Sequence, residues 1–64
     1  MSTWRFDLQD AEQRRDEAAR EAKRLEDAGR GFEANAAWVR YERISGAIEA
    51  QARVERVRRE LLAR

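Results

Sequence analysis

The stretch Leu25-Glu26-Asp27-Ala28-Gly29-Arg30-Gly31-Phe32 decides how this chain folds. It holds two of the three glycines, set two residues apart, between long runs of helix-forming residues. Upstream, residues 7–28 contain no glycine, no proline and no β-branched residue, and Ala, Glu, Arg, Gln and Leu dominate, which are mostly strong helix formers. Downstream, residues 32–63 read the same way, with one interior glycine at Gly46. No run of alternating β-branched residues suggests a strand. The pattern predicts a single all-α domain: helix 1 over about 7–28, a turn at 29–31 and helix 2 over about 32–63. A connection this short returns the second helix antiparallel to the first. The expected fold is therefore an antiparallel helical hairpin with unequal arms.

The ends carry their own signals. Asp7 is placed to accept from the backbone N–H groups of the first turn as an N-cap. Asp10 and Glu12 put negative charge near the positive end of the helix dipole. Phe6 precedes the cap, where an apolar residue packs back as a hydrophobic staple. Gly29 suits the left-handed residue that ends many helices.

The facing surfaces follow from heptad spacing. Leu8, Ala11, Arg15, Ala18, Ala22 and Leu25 recur at intervals of three and four, the pattern of a coiled-coil seam. Alanine dominates it, so the partner helix must approach closely or supply bulk. Helix 2 offers bulk at Trp38, Tyr41, Ile44 and Ile48. Folding about Arg30 sets residue i beside residue 60 − i, so Trp38 falls near Ala22, Tyr41 near Ala18 and Ile48 near Ala11. Arg15 falls opposite Ser45, with Glu42 or Glu49 within a turn for a cross-seam ion pair. A second track, Ala47, Ala50, Val54, Val57 and Leu61, is offset from Ala37, Tyr41, Ile44 and Ile48. Together the tracks predict an apolar face that is broad in the middle of helix 2 and drifts around it, so that one face packs inside the hairpin while the other meets a second chain.

Helix 2 also outruns helix 1. Residues 54–62 lie beyond its reach, with only Trp4 and Phe6 of the N-terminal arm to cover them. Ala50, Val54, Val57, Leu61 and Leu62 are thus the candidate oligomer interface. A chain of 64 residues with no cysteine and no histidine has neither disulfides nor a thiolate or imidazole metal site to reinforce it, and small scaffolds of that kind commonly oligomerise. The expected partner is a second copy, with a dimer forming a four-helix bundle.

Charge is abundant and nearly balanced: 42% of residues are charged, yet the net is +1. Asp10–Arg14, Asp16–Arg20, Glu49–Arg53, Glu55–Arg59 and Glu60–Arg64 all stand acid before base at i,i+4, a spacing that supports a solvated helix face. Residues 1–33 carry seven basic and nine acidic groups, a net of −2, whereas residues 34–64 carry seven and four, a net of +3. The excess lies at the end of helix 2. Arg53, Arg56, Arg58 and Arg59, with Trp4 of the arm, are the candidate contacts for a partner protein or a nucleic acid.

The same inventory argues against chemistry. Without His or Cys, the nucleophile–base pairs, redox motifs and Glu-x-x-His metal sites are missing from the chain. Gly29-Arg30-Gly31 is too short to cradle a phosphate. No enzyme activity, cofactor or metal is expected. No apolar run is long enough to span a membrane, and residues 1–7 show no secretory pattern, so a cytoplasmic location is expected. The function expected is protein–protein interaction or assembly: an adaptor, regulator, or bacterial or phage assembly subunit. The alternative is a small nucleic-acid-binding regulator using the arginine-rich end.

Overall fold

The computed structural model describes residues 6–63. Two helices account for nearly all of them: α1, Leu8–Asp27, and α2, Gly31–Leu62. They pack against each other as an antiparallel hairpin. The observed boundaries fall within one residue of the expected ones.

Each end of α1 is fixed by a side chain or a special backbone angle. The Asp7 carboxylate accepts from the Asp10 backbone N–H at 3.1 Å, which satisfies one of the donors that a helix start leaves unpaired. At the other end, Gly29 has φ +75°. The Gly29 N–H donates to the Glu26 carbonyl at 3.0 Å, and the Arg30 N–H donates to the Leu25 carbonyl at 2.8 Å. This is a Schellman turn. It reverses the chain so abruptly that α2 starts at Gly31, one residue before Phe32. The α2 start has no side-chain cap bond; Arg30 instead reaches forward to Glu33 at 3.4 Å.

The interior is small. Among the described residues, those fully buried are Ala18, Ala22, Ala34 and Ala37. Alanine in both helices lets the two backbones approach closely near the turn. Around these alanines, Ala11, Arg15, Ala19 and Leu25 of α1 and Trp38, Tyr41, Ile44 and Ile48 of α2 are half-buried. The seam expected on α1 is therefore the one used, except that Leu8 remains 49% exposed at its far end. Trp38 and Tyr41 meet edge to face, with ring centroids 5.4 Å apart, the preferred geometry for an aromatic pair.

The register can be read from two cross-helix bonds. Arg40 pairs with Glu21 at 2.7 Å, close to the expected fold-back. The Trp38 indole N–H donates to the Glu26 carboxylate at 2.9 Å, one turn nearer the loop than Ala22. Arg15 departs from expectation. Its guanidinium Nε lies 3.4 Å from its own neighbour Asp16, rather than bridging to Glu42 or Glu49. A long side chain at the edge of a two-helix seam reaches water easily, so a local partner suffices. Ser45 Oγ is buried and has no hydrogen-bond partner among the described residues.

Candidate interaction surface on the longer helix

A helix advances about 100° per residue, so residues three, four and seven apart share a side. On α2, Ala34, Ala37, Trp38, Tyr41, Ile44, Ser45 and Ile48 form the side that faces α1, and each is buried or half-buried. About half a turn away runs a second, mostly apolar row, Phe32, Ala36, Val39, Gly46, Ala50, Val54, Val57 and Leu61, interrupted by Arg43 on the same side, and every member is exposed. Phe32 is 92% exposed, Leu61 62%, and Val54 and Val57 50% each.

This corrects the picture of one broad, drifting face. The α2 apolar residues occupy two opposite sides, and the hairpin covers one of them. Ala47, expected in the second seam, is exposed beside the outer row. Ala50, Val54, Val57 and Leu61 do lie together on that row. Leu62, 79% exposed, points about a quarter-turn away from Leu61.

The outer row extends beyond the expected interface of Ala50, Val54, Val57 and Leu61. Phe32 and Val39, seven residues apart, extend it to the first turn of α2. Their signal is present in the spacing, although Phe32 is also the expected start of helix 2. With them, the row runs from Phe32 to Leu61, or about 44 Å at 1.5 Å per residue.

The free end of α2 is equally open. From residue 52 to residue 63 every side chain is exposed, and Gln51 is the last half-buried position. Half-buried Phe6 lines a cleft with Leu8, Gln51, Glu55 and Arg58 at the start of this overhang, while Leu61 and Leu62 are exposed. Trp4 lies outside the described residues.

Arg53, Arg56, Arg58 and Arg59 are all exposed. Among the described residues none of them forms an ion pair. Of the expected i,i+4 pairs, Asp10–Arg14 closes at 2.9 Å, while Glu55 instead accepts from the Gln51 amide at 3.2 Å. The four arginines do not share a side. Steps of three, two and one residue distribute them around α2, with Glu55 and Glu60 between them.

Among the described residues no cluster of carboxylates is arranged to hold a metal ion, and no helix is long and apolar enough to cross a membrane. Comparison with protein-family models, curated proteins and solved structures gives no match.

Proposed function

We propose that this chain is a non-enzymatic protein–protein interaction or assembly module that works as a homo-oligomer of helical hairpins in the cytoplasm, as an adaptor, regulator or assembly subunit. Two hairpins associating through α2 bring four helices into one assembly. The observation that carries this reading is the exposed apolar row on α2, above all Ala50, Val54, Val57 and Leu61. From Ala50 to Leu61 each of these row positions is apolar and exposed, and association is the direct way to cover such a stripe.

Sedimentation velocity and light scattering at micromolar concentration test the reading. The expected result is a dimer or larger species, and a compact monomer overturns it. Val57→Asp or Leu61→Asp is expected to weaken association about tenfold or more by placing a charge in the interface. Ala18→Ser, on the inner side of the hairpin, is expected to affect association less. If the end substitutions leave the mass unchanged, the interface lies elsewhere.

The second reading is nucleic-acid binding through Arg53, Arg56, Arg58 and Arg59. Its support is that these cations are exposed and have no ion-pair partner among the described residues. Their distribution around the helix and the interleaved glutamates favour the first reading. Titration with duplex DNA and with RNA at two salt concentrations separates the two. Binding with a steep salt slope, lost in the variant Arg56→Ala plus Arg59→Ala, favours the second reading; no binding at low salt removes it.

A further inference from the structure

The outer row of α2 has an internal symmetry that specifies what covers it. Taken with Arg43, which lies on the same side, and with Ala47 beside it, the row occupies positions 32, 36, 39, 43, 46, 47, 50, 54, 57 and 61, and reversing their order returns the same set about a centre between Gly46 and Ala47. A two-fold axis at that centre pairs Phe32 with Leu61 of a second copy, Ala36 with Val57, Val39 with Val54, and Arg43 with Ala50. A surface that complements itself under a two-fold rotation is what a symmetric dimer requires.

Three further observations agree. First, Gly46 sits at the centre. A glycine inside a helix costs about 1 kcal/mol relative to alanine, and the hairpin gives no reason for it: a Cβ there meets nothing within 4 Å. With Ala47 it leaves room for a second helix to approach closely. Second, the flanking charges match. In this register Glu33 lies beside Arg58 of the second copy and Glu42 beside Arg53, while Arg40 meets Gln51 and Asn35 meets Glu60. No like charges oppose each other. Third, the spacing steps by four twice in succession at residues 46, 50 and 54. That is a stutter, which locally unwinds a supercoil and lets both halves of the row face the same partner.

We infer that the occupant of the outer row is a second copy of this chain, with its α2 antiparallel to the first and the two-fold axis at Gly46–Ala47. This rests on the homo-oligomer reading and specifies its geometry. The four helices then lie in a row in the order α1, α2, α2, α1, and the charged sides of α1 face water at both edges. Arg53 and Arg58 become intermolecular partners of Glu42 and Glu33.

Because the natural chain has no cysteine, single-cysteine variants give an unambiguous register test. Three are prepared, Gly46→Cys, Val39→Cys and Val54→Cys, and each is oxidised mildly and read on a non-reducing gel. Gly46→Cys is expected to form a covalent dimer alone. Val39→Cys and Val54→Cys are each expected to stay single alone and to cross-link when mixed, the mixed product being identified by a mass tag. A second arm uses charge: Glu42→Arg is expected to raise the dimer dissociation constant about tenfold, and adding Arg53→Glu to restore it.

Sedimentation of the unmodified chain keeps the outcomes separate. A monomer at high micromolar concentration overturns both this geometry and the homo-oligomer reading. A dimer in which every single-cysteine variant cross-links with itself is parallel, which overturns the geometry alone. A dimer in which no variant cross-links has its interface elsewhere, which also overturns the geometry while the homo-oligomer reading stands.

Discussion

The Trp38 indole N–H donates to the Glu26 carboxylate at 2.9 Å, joining the second turn of α2 to the last turn of α1. The same ring meets Tyr41 edge to face, so a single side chain fixes both the register of the hairpin and the order of its largest aromatic contact. Trp38→Phe keeps most of the ring and removes the donor. A loss of about 1 kcal/mol is expected, the usual net value of such a bond. Urea unfolding of Trp38→Phe, Glu26→Ala and the double variant measures it as a coupling energy, and additive losses would show that the bond contributes nothing.

Ala22 is completely buried, and Ala34 and Ala37 are nearly so. The turn-proximal half of the hairpin therefore has no room for a larger side chain. Ala22→Leu is expected to cost about 1–3 kcal/mol through overpacking, seen as a lower urea midpoint. Gln13→Leu, on the exposed side of α1, is the control and is expected not to destabilise the hairpin.

Ser45 is the converse case. Its hydroxyl is buried without a partner, and an unsatisfied polar atom costs about 1–3 kcal/mol. Ser45→Ala removes that atom and improves helix propensity. Thermal unfolding is expected to move upward by several degrees in this small domain. A downward shift would mean that the hydroxyl finds a partner in solution.

The two glycines at the turn have different roles, and alanine distinguishes them. Gly29 holds φ +75°, where a Cβ is strained by about 1–2 kcal/mol. Gly31 is the first residue of α2, and a Cβ there meets nothing within 4 Å. Gly29→Ala is expected to destabilise and Gly31→Ala to be neutral or stabilising, as read by chemical denaturation.

Much of the hairpin was legible in the sequence because its signals are local. Gly29 ends a helix by its own backbone freedom, Asp7 caps one three residues away, and the α1 seam repeats strictly enough to assign. α2 was harder because its apolar residues lie on two opposite sides, so that no single period dominates. Ala47 and Ile48 are neighbours in sequence yet face different surroundings, and only the position of α1 separates them. The partner of Arg15 was missed for a related reason: spacing locates a backbone, while a long flexible side chain chooses among several carboxylates within reach. The candidate interface was legible at its C-terminal half, where Val54, Val57 and Leu61 outrun α1, and illegible at Phe32 and Val39, which lie alongside α1 but face away from it.

The exposed tail of α2 has a consequence for backbone exchange. Residues 52–62 form the last three turns or so of α2, with every side chain exposed, and helices of that length are marginal in water when left alone. Their amide hydrogens are therefore expected to exchange with solvent far sooner than those around Ala34 and Ala37, and to slow as the protein concentration rises. The overhang thus couples the order of its own backbone to the presence of a neighbour, so that deuterium uptake along one helix reports assembly.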